Sequence, residues 1–392
     1  MFIERSRTSV AARTLPAHCY TDPAWFQREL AAIHHRMWLF AGRADELGAP
    51  GAYVLRNFGQ ASVILVRGDD QKVRAFHNVC RHRGTRLVND ESGQFKARIQ
   101  CKYHAWTYKL DGALDRAFHM DGVDGFKESD YPLHPVMLEE WGGLLFINLA
   151  HAPHTETLGR LTSFFVSTAP DGPAAVPFDQ HLAGLDQTFA NWRLSELKCV
   201  ARKSYTLQAN WKLVISNYHE CLHCPTAHPQ LNRISHYLAG DNVPAQPTYL
   251  GARMQLRPEF QTLSMLDQPS RAPLPGLTAD EKRHVYYYAI LPNLLLNAHP
   301  DYVVTFRLMP QSERRTDIVV EWLMHPDEVA RPGFDPSDAV DFWHLTNQQD
   351  WELSDLAQAG ISSVGYQPGP YSNREDLLIA FDRWVLDRLG EK

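Results

Sequence analysis

The sequence predicts an α+β protein: a small all-β domain followed by a larger mixed domain built on an antiparallel sheet. Between residues 51 and 149, short β-rich runs (SVILVRG, AFHNVCR, FKARIQC, GLLFINL) alternate with turn-forming DD, DESGQ, LDG and EEWGG segments. From residue 284 onward, several long β-patterned runs follow one another. The chain has 392 residues, long enough for two domains or one large core, since cores usually stop growing by about 250 to 300 residues.

In chain order, residues 22–40 open with Asp22-Pro23 and carry Phe26, Leu30, Ile33, Met37 and Leu39 at near-helical spacing. Residues 1–50 are therefore read as an N-terminal helical segment associated with the larger domain, 51–150 as the all-β domain, and 151–392 as the larger domain. The polar stretch HAPHTETLGR marks the boundary near Ala150. Residues 198–207 read as a strand and 209–222 as a helix. Strands are expected at 284–291, 293–298, 301–309 and 316–324. In the third of these, Tyr302, Val304, Phe306 and Leu308 alternate with Val303, Thr305 and Arg307, the period of two that separates a sheet's faces. A Pro-rich loop spans 268–275. Helices are expected at 335–359, stopped by Gly360, and at 375–389. There is no internal repeat and no low-complexity segment.

Composition excludes several partners. Thirty-nine basic and 45 acidic residues give a net charge of -6 with no basic stripe, which argues against nucleic acid. The opening MFIERSRTSVAARTLP lacks a signal-type apolar core, and no run approaches the roughly 20 apolar residues that span a bilayer. A soluble, cytoplasmic protein without membrane attachment is expected. Six cysteines are too sparse for a disulfide scaffold.

Two of those cysteines point to metal. NVCRHRG brings Cys80 and His82 onto one tight loop, and IQCKYHAWTY brings Cys101 and His104 onto another. The 18 residues between them suffice for a hairpin that joins the loops. A Cys2His2 set can also hold zinc, but finger spacing pairs the cysteines and the histidines separately, whereas each loop here supplies one of each. Such mixed ligation suits a Rieske centre, with thiolates on one iron and imidazoles on the other. The signatures C-x-H-R-G and C-x2-H-x-W resemble those of the Rieske family. Trp106 and Tyr103 are expected to pack around the cluster and limit water.

A one-electron cluster needs an acceptor. NYHECLHCPTAHP offers Glu220, His223 and His228. On a helix Glu220 and His223 would share a face, and Pro225 would break the helix and return His228. Two histidines and a later carboxylate would form the 2-His-1-carboxylate site of non-haem iron oxygenases. Spacing leaves Asp301, Asp317, Asp338, Asp341, Asp350 and Asp355 open. Cys221 and Cys224 read as buried small hydrophobes, with a zinc knuckle as the alternative.

The stretch LTNQQDWELSDLAQAG resembles the iron-binding late helix of Rieske ring-hydroxylating oxygenase alpha subunits, which implies Asp350 as the carboxylate and a helix-grip (START-like) catalytic domain. On that helix Asp350 would share a face with Trp343, Asn347 and Ser354. The same resemblance gives Glu220 a catalytic role, bridging His223 to His104 of a neighbouring subunit. Aromatic-ring dioxygenases carry Asp at the bridge, whereas Glu here is similar to the branch acting on quaternary ammonium compounds: glycine betaine, proline betaine, carnitine and choline oxygenases. Further blocks, YTDPAWF, MWLFAGR, LPNLLLNAHPDYVVTFRLMP, EWLMHPDE and YQPGPYSNRED, extend the resemblance over almost the whole chain.

That resemblance implies a terminal monooxygenase that attacks an N-methyl group of a betaine-type substrate with O2 and releases formaldehyde. It further implies a [2Fe-2S] cluster, mononuclear Fe(II), NAD(P)H used by a flavin and iron-sulfur reductase partner, and a homotrimer without a beta subunit. Aromatic faces suit a quaternary ammonium, which cannot donate a hydrogen bond. Phe189, Trp192, Tyr286, Tyr288, Tyr302 and Phe306 are candidate cage members, and Arg307 or His299 candidates for a substrate carboxylate. The alternatives are an aromatic-ring or aromatic-acid hydroxylase on the same scaffold, or a non-catalytic Rieske electron-transfer protein.

Overall fold

A computed structural model describes residues 12–150, 175–269 and 271–391. The chain divides into two compact units: His34–Gln180, and the N-terminal residues through Ile33 together with His181 onward. The polar stretch 151–160 and the first eleven residues lie outside the described residues, as does Ser270 within the Pro-rich loop.

The first unit contains strands β1 (Trp38–Arg43), β2 (Ala52–Phe58), β3 (Ala61–Arg67), β4 (Val73–His77), β5 (Ser92–Gln94), β6 (Arg98–Gln100), β7 (Thr107–Lys109), β8 (Leu114–Arg116), β9 (Pro135–Trp141) and β10 (Leu144–Asn148). Seven form a sheet in the order β1-β10-β9-β4-β3-β2-β5, and β6-β7-β8 form a small sheet of their own. Both faces of the larger sheet are covered, which explains why SVILVRG is apolar without alternation. Ile64 and Val66 join a core that includes Cys80, Cys101, Trp106 and Tyr108, while Val63 and Leu65 join another with Leu39 and Ile147.

The amphipathic stretch at 22–40 differs from its sequence reading. A helix spans Pro23–Glu29, with Asp22 accepting a hydrogen bond from the Ala24 amide, and one π-turn follows over Leu30–His34. The chain then extends as β1, all six residues of which are buried. With no exposed face, β1 gives no period-two signal, and its apolar residues mimic the continuation of a helix.

The second unit holds β11 (Lys198–Leu207), β12 (Gly240–Val243), β13 (Tyr249–Gln255), β14 (His284–Ile290), β15 (Leu294–Ala298), β16 (Tyr302–Ser312) and β17 (Arg315–Met324). They form one antiparallel sheet, a meander from β12 to β17 with β11 added beside β17. Helices Trp211–Tyr218, Ser337–Ile361 and Asp376–Leu389 accompany it. Gly360 does not stop the long helix, which runs one residue past it. Two helices are pinned to the sheet near one another. The Tyr218 hydroxyl donates to the Leu296 carbonyl on β15 (3.0 Å), and the Trp343 indole donates to the Tyr302 hydroxyl on β16 (3.0 Å) and to His299 Nε2 (3.1 Å).

The N-terminal helix is tied to the second unit by a buried cluster. The Glu29 carboxylate accepts from the indoles of Trp25 (2.9 Å) and Trp211 (2.8 Å) and from the Lys212 ammonium (2.5 Å). Both charged side chains are fully buried, and Lys212 also donates to Asn210 Oδ1 (2.8 Å). Burial pulls the Lys212 pKa down, against the opposing pull of Glu29.

Among the described residues, no helix is long and apolar enough to cross a membrane.

Candidate metal centres and cleft

Cys80, His82, Cys101 and His104 sit on two loops closed in the same way. The Gly84 amide donates to the Cys80 carbonyl (3.0 Å) and the Ala105 amide to the Cys101 carbonyl (3.1 Å). Gly84 and Ala105 both adopt positive φ, 72° and 56°, to make these tight returns. Both cysteines are buried and unbonded to one another, whereas the histidines are more exposed and their rings lie 4.6 Å apart between centroids. Burial raises the Cys80 pKa, while the Tyr108 hydroxyl 3.3 Å away opposes the rise. Two thiols held in an apolar core, with two imidazoles beside them, fit a positively charged iron-sulfur group that stabilises the thiolates.

Trp106 is buried and stacks on His82 at 4.8 Å, so it packs where expected. Tyr103 does not seal the site. It leans on His104 at 3.7 Å but remains 56% exposed.

The second set converges in the other unit. His223 Nε2 and His228 Nε2 are 3.1 Å apart, and Asp350 Oδ1 lies 2.8 Å from the latter and 3.3 Å from the former. Three ligands on one face of an octahedral metal, each about 2.1 Å from it, would stand about 3 Å apart. The donor set therefore fits a single divalent ion. The far nitrogens of both rings are engaged: His228 Nδ1 pairs with Gln349 Oε1 (2.8 Å), which also accepts from Gln230 (2.9 Å), and His223 Nδ1 pairs with Glu220 Oε1. Outer partners of this kind orient metal-binding imidazoles. Burial opposes the charged form of His223, but hydrogen bonds and charges from Asp350 and Glu220 prevail and raise its pKa to about 9. Asp350 is shifted downward because the two histidines outweigh its burial.

The other candidate acids are placed elsewhere. Asp301 and Asp338 share Arg271 in a buried ion-pair network, Asp317 pairs with Arg315 and Thr206, and Asp341 is exposed. Asp355 is not among the residues lining the cleft. On the long helix, Trp343, Thr346 and Asp350 form a stripe that borders it.

Local structure around the histidines departs from the sequence reading. The helix ends at Tyr218, so Glu220 is held by a turn and not by a helix face, its second oxygen accepting from the Leu222 amide. Pro225 lies in the first turn of a short helix, Cys224–Ala227, and His228 caps its end. Proline starts the turn that returns His228; it does not interrupt one. Cys221 and Cys224 are joined in a disulfide, which replaces the reading of two separate small hydrophobes and leaves no thiolates for a zinc knuckle.

A cleft of roughly 910 Å³ opens over the His223, His228 and Asp350 side chains. Tyr218, Tyr237, Tyr287 and Trp343 line it, with Tyr287 6.1 Å from Tyr218 and 6.3 Å from Trp343 between centroids. None of the six aromatics singled out in the sequence lines this cleft. Phe189, Trp192, Tyr286 and Tyr288 pack together in a separate cluster; Tyr302 is buried with its hydroxyl on the Leu263 carbonyl, and Phe306 packs behind Tyr218 and Trp343. His299 and Arg307 are also absent from the lining, whereas Arg374 belongs to it. Strand alternation carries the missed signal: Tyr287 must face away from Tyr286 and Tyr288.

Residues 194–391 match the family described as ring hydroxylating alpha subunit (catalytic domain), and residues 37–127 match the Rieske [2Fe-2S] domain. The chain is 34% identical to a glycine betaine monooxygenase oxygenase subunit of Chromohalobacter salexigens, over 96% of this chain and 86% of that protein. It is 36% identical to a carnitine monooxygenase oxygenase subunit of Escherichia coli over 59% of this chain and 58% of that one. The crystal structure of the quaternary ammonium Rieske monooxygenase CntA in complex with L-carnitine aligns with a TM-score of 0.75 and 25% identity, covering 96% of each chain.

Proposed function

This chain belongs to the Rieske ring-hydroxylating oxygenases, enzymes that use a [2Fe-2S] cluster and mononuclear iron, and from that premise we propose that it N-demethylates a small quaternary ammonium compound of the betaine type. The observation that carries the reading is a cleft with a three-donor metal site on its floor and four aromatic rings in its wall. Aromatic faces attract a cation that offers no hydrogen-bond donor, and leave its methyl groups free to approach the metal end.

On this reading Cys80, His82, Cys101 and His104 hold the cluster, and His223, His228 and Asp350 hold the iron. When bound, these groups supply electron relay and O2 activation. The net reaction balances: one trimethylammonium group, one O2, two electrons and two protons give one protonated dimethylamine group, one formaldehyde and one water. A methyl carbon is oxidised, its bond to nitrogen breaks, and the electrons come from NAD(P)H through a flavin and iron-sulfur reductase. Tyr218, Tyr287 and Trp343 orient the ammonium head. Gln349 and Glu220 keep the Nε2 atoms turned to the metal. Glu220 also provides the bridge to His104 of a neighbouring subunit in a homotrimer without a beta subunit, and the enzyme works in the cytoplasm.

Iron analysis joined to a substrate panel tests the proposal. Three iron atoms per chain, and formaldehyde from a betaine with reductase present, are expected. A diol or phenol from an aromatic acid would transfer the assignment to ring hydroxylation, and two iron atoms with no product would leave an electron-transfer protein.

A further inference from the structure

Among the described residues, Arg374 is the only lysine or arginine lining the cleft, whose fixed charges are otherwise the carboxylates of Glu220 and Asp350. It stands in the turn Tyr371–Glu375, just before the last helix. That turn is fastened on several sides. The Tyr371 amide donates to the Ala12 carbonyl (2.9 Å) and its hydroxyl to Asp382 (2.7 Å), the Ser372 amide donates to Glu375 Oε2 (2.6 Å), and the Arg374 amide donates to Ser372 Oγ (3.2 Å). Asn242, itself at the cleft, donates to Asp376 Oδ1 (2.7 Å). The two acids nearest in sequence are thus directed to local partners. Among the described residues no carboxylate lies within ion-pairing distance of the Arg374 guanidinium. An arginine fixed at the rim with its fork unmatched is suited to a planar anion arriving from solution.

We propose that Arg374 binds the carboxylate of a zwitterionic substrate, so that the enzyme selects quaternary ammonium acids over quaternary ammonium alcohols. The inference rests on the N-demethylase reading and adds the second recognition point. The aromatic wall takes the cation and Arg374, in the same cleft, takes the anion.

The test compares the reductase-supplied, iron-loaded wild type with Arg374→Gln and Arg374→Lys on glycine betaine, on longer trimethylammonium carboxylates and on choline, which has no carboxylate. Formaldehyde gives kcat and KM, and calorimetric titration of the same substrates gives affinity without turnover. Arg374→Gln is expected to weaken binding and raise KM for the carboxylates roughly 10- to 100-fold, the scale of one lost charge-assisted pair, while choline changes less than about twofold. Arg374→Lys should restore part of the preference. Because Arg374 is exposed, unchanged handling of choline by the variants also reports an intact fold. An unaltered carboxylate-to-choline ratio in Arg374→Gln, or a wild type that prefers choline, overturns the role of Arg374 and leaves N-demethylation standing. A wild type that releases formaldehyde from none of these compounds overturns both.

Discussion

Replacing Glu29 with Gln keeps the shape of the buried cluster but removes its negative charge, leaving the Lys212 ammonium without its ion-pair partner in a fully buried site. Breaking a buried pair in this way costs about 3 to 5 kcal/mol. The upper end is fixed independently, because Lys212 can escape by losing its proton. With an ordinary lysine value of 10.5, neutralisation at pH 7 costs about 1.36 × (10.5 − 7), or about 5 kcal/mol. The loss in Glu29→Gln should therefore lie between those figures at pH 7. If Lys212 is neutral in the folded variant, the unfolded state binds one more proton, so stability must rise with pH by up to about 1.4 kcal/mol per unit until the unfolded lysine titrates. Urea denaturation followed by tryptophan fluorescence is the assay, since Trp25 and Trp211 both bond to Glu29. The double variant Glu29→Gln/Lys212→Met should recover most of the loss. A Glu29→Gln loss below about 1 kcal/mol at pH 7 would refute the account of a broken buried pair, whereas a loss that stays flat between pH 7 and 9 would show that Lys212 keeps its proton in the folded variant.

Further outcomes follow from the other sites. Asp350→Ala should leave the visible absorption of the Rieske cluster intact, lower the iron content from three to two per chain and abolish formaldehyde release; retained product would remove Asp350 from the ligand set. Glu220→Gln should retain the cluster, weaken second-site iron binding about 10- to 100-fold and slow single-turnover oxidation of the cluster, with unchanged single-turnover kinetics counting against the bridge. Burial, followed by the charge of Arg388, lowers the His181 pKa from 6.5 to about 3. Its neutral form contributes stability above pH 6.5 that is lost as pH falls toward 3, about 2 kcal/mol by pH 5. Denaturation midpoints of His181→Gln should accordingly slope less between pH 6.5 and 5 than those of the wild type.

Local chemistry was the legible part of the sequence. Cys80/His82 and Cys101/His104 lie two and three residues apart, so their loops declare themselves, and the strands from β14 to β17 announce their period of two. Asp350 was a different matter. Spacing left six acids open, because a ligand more than a hundred residues from its partners is placed by sheet topology and not by local pattern. The aromatic wall was missed for a related reason: alternation assigns Tyr286 and Tyr288 to one face and Tyr287 to the other, but nothing in HVYYYAI says which face meets the metal. The disulfide between Cys221 and Cys224 and the position of Arg374 in an irregular turn carry no periodic signal at all.

The face assignment on β14 has an engineering corollary. Tyr287 looks into the cleft, while Tyr286 and Tyr288 pack with Phe189 and Trp192 behind the strand. Adjacent codons thus meet different neighbours, the cleft at one and the packing behind the strand at the next. Libraries randomised at position 287 should change what the protein accepts at some cost in melting point, because that ring is buried, whereas those at 286 or 288 should act on the packing alone.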